Sequence, residues 1–216
     1  AMTTDNQGGT LNIAIGNYAM DAHTSGDQNT AIGHNALSAN TTAENNTAVG
    51  VNALLTNDGS NNTAVGVHSL KLNTTGTQNV AVGHNALTAN TTASQNTAVG
   101  QESLKANTTG TANVAVGAEA LKANTTADNN TAVGMNSLLA NTTGAGNTGL
   151  GSHALVANTT GANLTAVGVN ALAANTTGNE NVAVGNYALY SNTTANDNTA
   201  VRTRSLFTNT TGTGNA

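Results

Sequence analysis

The sequence is poor in charged and aromatic residues and lacks cysteine, proline and tryptophan altogether. Only 7% of its residues are charged and 2% are aromatic, whereas roughly a quarter of the residues of an average soluble domain are charged. Without cysteine there is no disulfide framework, and the redox compartment is left open. This composition argues against an ordinary enzyme and favours an extended surface protein.

Other classes are excluded by what is missing. The five Lys and Arg residues are scattered and the net charge is -5, so no basic patch for nucleic acid is predicted. No apolar run reaches 18 residues, so no segment is predicted to span a membrane. No signal peptide opens the chain, and Ala1-Met2 has the character of a processing remnant. We expect any export signal or anchor to lie outside these residues.

What is present is one phrase repeated along the chain. From Asn12 onward the sequence spells variants of Asn-Thr-Ala-Val-Gly-x-x-Ala-Leu-x-Ala-Asn-Thr-Thr-Gly-x-x, with a step of 17 residues and a single step of 16 between Gly50 and Gly66. A fixed period predicts stacked coils of a solenoid. We expect an all-β, single-domain parallel β-solenoid (β-roll) of about twelve coils at 12–216. Residues 1–11 are expected to form a lead-in and cap, and 198–216 an atypical last coil.

Each coil is predicted to contain two short strands and a thin interior, giving a flattened roll. Helical repeats need about 33 to 47 residues, and the glycine and Asn-Thr-Thr-Gly turn suit a helix poorly. In the second strand, the column of Lys105 varies too freely to be internal, so Leu104 is predicted to face inward. The same alternation in the first strand favours Val inside. The predicted core residues are Val49, Leu54, Val82, Leu87, Val99, Leu104, Val116, Leu121, Val133 and Leu138.

A column of alanines is predicted to face outward by this strand alternation, yet it hardly varies. A flat stripe of small side chains lets another surface approach closely, so we predict a homotrimer interface there. The alternative is that another layer of the same coil covers these alanines. The predicted interface residues are Ala31, Ala48, Ala64, Ala81, Ala98, Ala115, Ala132, Ala166 and Ala183.

Two columns of asparagine flank the strands and are predicted to form turn ladders, because Asn bonds to its own turn and identical amides stack along a rod. A ligand-binding role is the alternative. The Asn-Thr-Thr triplets also match the N-glycosylation acceptor, which acts only in a suitable host. The predicted ladder residues are Asn40, Asn73, Asn90, Asn107, Asn124, Asn96 and Asn113.

Reactive constellations are absent from the sequence. The acidic residues lack the paired arrangement of a glycosidase, the histidines lack metal-ligand spacing, and the calcium-binding nonapeptide of other β-rolls does not occur. We therefore predict no catalytic, metal or cofactor site. Near the end of the chain, Arg202 and Arg204 are predicted either to blunt an exposed edge or to mark the transition to the next segment. Tyr187, Tyr190 and Phe207 are predicted to form an aromatic patch that contacts a neighbouring domain.

The phrase carries a resemblance to known proteins. Asn-Thr-Ala-Val-Gly-x-x-Ala, present from Asn96 to Ser103 with Ser for the final Ala, resembles the Ser-Val-Ala-Ile-Gly-x-x-Ala signature of YadA-like trimeric autotransporter adhesin heads. Longer versions resemble repeat arrays of bacterial surface proteins and phage tail fibres. The resemblance implies a left-handed parallel β-roll, three copies side by side, and display on a fibre that binds host matrix or other cells. The extra Ala-Asn-Thr-Thr segment lengthens one turn relative to the adhesin repeat.

The expected function is that of a structural and adhesive repeat segment in an extracellular or virion fibre, without enzymatic activity. Its expected partners are copies of itself and a host matrix, glycan or cell-surface ligand. One alternative is a non-adhesive spacer of a tail fibre. The other is an ice-binding solenoid, suggested by Thr columns such as Thr74, Thr91 and Thr108. Adjacent threonines point to opposite faces of a strand, which disfavours that second alternative.

Overall fold

The computed structural model describes residues 9–216, so most of the expected lead-in at 1–11 lies outside the described residues. The described chain is all-β: it has twelve parallel three-residue strands, with about 17 residues from the start of one strand to the next. This confirms the predicted parallel β-solenoid. Within residues 9–216, no helix is long and apolar enough to cross a membrane.

The chain divides into two compact units, Ala1–Thr109 and Gly110–Ala216. Within each unit, successive strands pair in parallel without a register shift, as Thr30 with Thr47 and Thr165 with Val182. The N-terminal unit contains β1 (Ile13–Ile15), β2 (Thr30–Ile32), β3 (Thr47–Val49), β4 (Thr63–Val65), β5 (Val80–Val82) and β6 (Thr97–Val99). The C-terminal unit contains β7 (Val114–Val116), β8 (Thr131–Val133), β9 (Thr148–Leu150), β10 (Thr165–Val167), β11 (Val182–Val184) and β12 (Thr199–Val201).

Only one of the two predicted strands forms in each coil. The segment from Ser103 to Ala106 lies in turns; Glu102, just before it, and Leu104, within it, have left-handed backbones with φ of 57° and 49°. Left-handed residues cannot continue a strand, so inward and outward positions do not alternate there. These turns still stack on their neighbours, since the Leu87 amide donates to the Ser103 carbonyl at 3.0 Å.

The alternation predicted for the first strand is wrong: alanine faces inward and valine outward. Ala98 is 0% exposed, whereas Val99 is 36% exposed. The predicted core valines that lie on the outer surface are Val49, Val82, Val99, Val116 and Val133. The predicted interface alanines that are fully buried inside their coils are Ala31, Ala48, Ala64, Ala81, Ala98, Ala115, Ala132, Ala166 and Ala183. The alanine column is therefore core and cannot be an oligomer interface.

A close approach inside the coil explains why alanine replaces valine there. Where the column has Gly149, an added Cβ would lie 2.6 Å from Ser137 Oγ and 3.5 Å from Leu138 Cγ. The Ser137 hydroxyl of the preceding coil lies in this space and donates to the Gly149 carbonyl at 2.9 Å. The inward strand position accommodates a methyl group and little more, so packing overrides hydrophobicity.

The leucine column is buried as predicted and supplies the large side chain of each coil. The predicted core leucines, all 0% exposed, are Leu54, Leu87, Leu104, Leu121 and Leu138. The glycine after each strand is constrained by the next coil. Gly83 has φ of 140°, and a Cβ there would lie 2.5 Å from the Gly100 carbonyl oxygen. The stacking distance itself therefore excludes side chains from the glycine column.

Substitutions in neighbouring residues of β5 test the inward and outward assignment. Ala81→Glu places a carboxylate in the filled interior and should destabilise the fold by roughly 3–5 kcal/mol, as expected for an uncompensated buried charge. Val82→Glu places the same group in solvent and should change the free energy of unfolding by within about 0.5 kcal/mol. Thermal unfolding followed by circular dichroism at low protein concentration measures both. Equal losses in the two variants would contradict the assignment.

Candidate functional site

The outward residues of the strands form an uncharged face on each unit, here called the Thr–Val face. Its residues flank the buried alanine column on the same side of successive strands. In the N-terminal unit they are Ile13, Ile15, Thr30, Ile32, Thr47, Val49, Thr63, Val65, Val80, Val82, Thr97 and Val99. In the C-terminal unit they are Val114, Val116, Thr131, Val133, Thr148, Leu150, Thr165, Val167, Val182, Val184, Thr199 and Val201.

The Thr–Val face keeps one character along each unit, although it is partly open to solvent. The neighbouring outward column, just after the glycines, changes from His34 to Val51, His84 and Gln101. Intrinsic strand preference favours Thr, Val and Ile on the face, but it does not require an exposed row without a single charge. The Thr–Val face is therefore the candidate interaction surface of each unit.

The first asparagine ladder runs along the residues that precede each strand. The Asn96 amide nitrogen donates to Asn79 Oδ1 at 3.0 Å, and the Asn130 amide donates to Asn113 Oδ1 at the same distance. In most coils the side-chain nitrogen also closes its own coil, as Asn113 Nδ2 does by donating to the Ala127 carbonyl at 2.9 Å. These side chains are fully buried, so this ladder is structural and offers no open site for a ligand.

The second asparagine ladder runs along the Asn-Thr-Thr triplets. Asn90 Nδ2 donates to Asn73 Oδ1 at 2.8 Å and to the Ala93 carbonyl at 3.0 Å, and Asn107 Nδ2 donates to Asn90 Oδ1 at 3.1 Å. The predicted residues of this ladder are all 0% exposed: Asn40, Asn73, Asn90, Asn107 and Asn124. A glycan on such a nitrogen would have no room while its coil is folded.

The ladder asparagines do not have left-handed backbones. In the first ladder the preceding residue does, such as Gln95 with φ of 63° before Asn96. The asparagines are required because they carry both an acceptor and two donors into the interior. Each satisfies buried backbone groups of its own coil and of the adjacent coil.

In the 16-residue coil that contains β3, one carboxylate replaces a backbone acceptor that the regular coils supply. In regular coils a threonine carbonyl receives the donors of the preceding coil, as Thr91 O does from Thr74 N at 2.8 Å. In the short coil, Asp58 Oδ1 takes that place and accepts from Thr41 N at 3.2 Å and from Thr42 N at 3.2 Å. Burial opposes ionisation of Asp58, yet these hydrogen bonds outweigh it and hold its pKa below the usual value.

The repair of the short coil is incomplete. Asn40 Oδ1 and Asn46 Nδ2 are buried and have no hydrogen-bond partner among the described residues. In full-length coils the corresponding atoms pair with an amide or carbonyl that the deletion has displaced. The short coil is therefore a point of reduced stability in the N-terminal unit.

A histidine replaces asparagine in the first coil of the second ladder. His23 is 3% exposed; its Nε2 lies 3.2 Å from Asn12 Nδ2, and its Nδ1 lies 3.5 Å from Asn40 Nδ2. Burial lowers the pKa of His23, and hydrogen bonding with the Gly26 backbone and the charge of Asp27 offset this only in part. The imidazole thus serves as a neutral ladder residue at neutral pH.

The variable turns carry the charged and aromatic side chains. Two surface ion pairs form within single coils: Lys105 Nζ lies 2.8 Å from Glu102 Oε1, and Lys122 Nζ lies 3.4 Å from Glu119 Oε2. Within residues 9–216, no group of three His, Cys, Asp or Glu side chains is arranged to hold a metal ion.

The predicted aromatic patch forms at the last coils of the C-terminal unit. The rings of Tyr190 and Phe207 stack with centroids 5.2 Å apart, and Tyr187 lies 5.3 Å from Tyr190. The Arg204 guanidinium lies 5.8 Å from the Phe207 ring centroid. Because Phe207 of the last coil contacts Tyr187 and Tyr190 of the preceding coil, the cluster stabilises the packing of these two coils on each other.

No protein-family model matches the chain, and no curated protein matches it either.

Restoring the missing residue should stabilise the short coil. Asp58→Thr with one Thr inserted after it recreates Asn-Thr-Thr-Gly and should pair both orphaned amide groups, each worth about 1–3 kcal/mol. Urea unfolding with constant m-value measures the gain. A variant no more stable than the wild type would contradict the account of the deletion.

Removing the Asp58 carboxylate without the insertion should have the opposite effect. Asp58→Ala leaves the Thr41 and Thr42 donors without their acceptor and should lower stability at pH 7. Because the folded pKa is depressed, the advantage of the wild type is complete above the ordinary value of 3.8 and is lost as the pH falls through the folded pKa. Melting curves of both proteins from pH 7 to pH 2 check this; a pH-independent difference would count against it.

Proposed function

We propose that the chain is a structural and adhesive segment of an extracellular fibre, at a cell surface or on a virion tail, and that it assembles as a homotrimer through its Thr–Val faces. In this proposal the solenoid is a scaffold without enzymatic activity. The resemblance to trimeric adhesin heads and tail-fibre arrays supports it, and the ladders supply the regular backbone that an extended fibre needs.

The composition of the Thr–Val face is the main support for the proposed assembly. Exposed columns elsewhere accept His, Gln, Lys or Tyr, whereas this face accepts only Thr, Val, Ile and Leu. Val65, Val82 and Val99 are each 36% exposed, so a partner would remove further apolar area from water. Two such faces would meet without charge repulsion, and their regular rows of side chains would interdigitate.

The variable turns are the surface that we assign to ligand contact. They are exposed, they differ from coil to coil, and binding surfaces of repeat proteins commonly lie on the face where the repeats vary. Neutral polar groups are frequent there, aromatic rings occur in the last coils, and the whole chain has five Lys and Arg. A glycan or matrix protein recognised by hydrogen bonds and ring contacts fits this surface better than a polyanion.

Charge on three adjacent strands tests the assembly. Val65→Glu, Val82→Glu and Val99→Glu together should convert a trimer into folded monomers, because three carboxylates per chain would be desolvated in the interface. Analytical ultracentrifugation gives the mass, and circular dichroism shows that the fold is retained.

The matched control places the same charge elsewhere on the same coils. Thr75→Glu, Thr92→Glu and Thr109→Glu alter exposed turn positions and should leave the trimer intact. A monomeric wild type at tens of micromolar, or a trimeric face variant, would reject the Thr–Val face as the interface. Binding of wild type and face variant to glycan and matrix arrays then tests adhesion separately.

Ice binding is a second candidate that the strand geometry favours more than the sequence did. The Thr pairs of the turns are not the relevant ones; on the Thr–Val face, Thr131 and Val133 are alternate residues that point the same way. Thr131, Thr148 and Thr165 lie in register on adjacent strands. Such a row of hydroxyls and methyls at about 4.8 Å intervals is a flat, regular array that ordered water can match.

Thermal hysteresis decides this second candidate. Thr131→Glu, Thr148→Glu and Thr165→Glu should abolish any hysteresis, while Thr126→Glu, Thr143→Glu and Thr160→Glu on the turns should preserve it. Wild-type protein that leaves the freezing point and the ice crystal shape unchanged eliminates ice binding and leaves the fibre assembly.

A further inference from the structure

The final coil departs from the others at its glycine position. Arg202 stands where eleven earlier coils have glycine, and its φ of 135° lies within their range of 128° to 140°. This backbone conformation is disfavoured for residues with a side chain, so Arg202 carries local strain. A strained arginine in a column otherwise reserved for glycine calls for a physical reason.

The spacing between coils shows what the side chain at this position does. A Cβ on Gly185 would lie 2.5 Å from the carbonyl carbon of Arg202 and 2.6 Å from its oxygen. The glycine column is therefore required wherever another coil follows in register. By the same geometry, the Cβ of Arg202 occupies the space that the corresponding carbonyl of one more coil would need.

The edge beside Arg202 is otherwise suited to accept another strand. The Thr199 amide donates to the Asn215 carbonyl at 2.7 Å, and the Asn215 amide donates to Asn198 Oδ1 at 3.0 Å. The hydrogen-bonding pattern of a following coil thus already begins, and a parallel strand could pair with β12 by edge addition.

We propose that Arg202 is a steric stop that prevents a second copy of this chain from stacking its first coil on β12. The excluded partner is the edge of β1 (Ile13–Ile15) in another molecule, where Gly16 would bring its carbonyl against the Arg202 Cβ. A head-to-tail contact of this kind does not close on itself and generates open filaments. Replacement of one glycine by any residue with a Cβ is sufficient to block it.

Two substitutions at Arg202 separate the Cβ from the charge. Arg202→Gly removes both and should give end-to-end association, with a weight-average mass that rises with concentration and with filaments visible by electron microscopy. Arg202→Ala removes the charge and keeps the Cβ, so it should stay as dispersed as the wild type. Arg204→Asn, which removes a nearby charge outside the glycine column, should also stay dispersed.

The measurement is made with Val65→Glu, Val82→Glu and Val99→Glu as the background, so that side-by-side assembly and end-to-end growth are not confused. Association of both the Arg202→Gly and Arg202→Ala chains would show that charge is the barrier and would overturn the steric stop. A dispersed Arg202→Gly chain would overturn it as well. Gly185→Ala should independently destabilise the last coil, and an unchanged melting temperature in that variant would refute the clash on which the proposal rests.

Discussion

Backbone hydrogen bonds between successive coils set a spacing that every other part of each unit must fit. At strand separations of about 4.8 Å, nothing larger than a hydrogen atom fits between one glycine and the glycine of the next coil. On the inward side of each strand, nothing much larger than a methyl group fits. The interior is consequently filled by alanine, one leucine per coil and paired amides. Its stability comes from continuity between coils rather than from the bulk of any single coil.

Buried amides make this narrow interior possible. A roll of this width brings the backbone of its turns into the core, where every unpaired donor or acceptor is costly. In most coils asparagine meets this requirement twice, because one short side chain carries an acceptor and two donors. The short coil illustrates the alternative: a carboxylate takes over one backbone carbonyl, while two amide groups remain orphaned.

The sequence predicts the coil period, the parallel fold, the buried leucines and the stacked asparagines, because each repeats once per coil at a fixed position. It does not predict which side of the strand faces inward. With only three residues in the strand, alternation is compatible with either choice, and hydrophobicity alone favours valine over alanine for the core. The choice depends on how much space lies between Ala98 or its equivalents and the side chains across the interior, and the sequence does not show that space. The left-handed leucines carry no sequence signal either, since bulky residues rarely adopt that conformation. The interface assignment failed because it depended on that alternation.

The two ladders also constrain how such an array changes length during evolution. Coils that carry both asparagines offer the same donors and acceptors to both neighbours, so adding or removing one such coil leaves the pairing pattern of the others unchanged. Loss of one residue instead displaces both ladders at once. In the coil of Asp58 this leaves Asn40 Oδ1 and Asn46 Nδ2 without a hydrogen-bond partner. Changes of length by a full repeat are therefore the ones that keep both ladders intact.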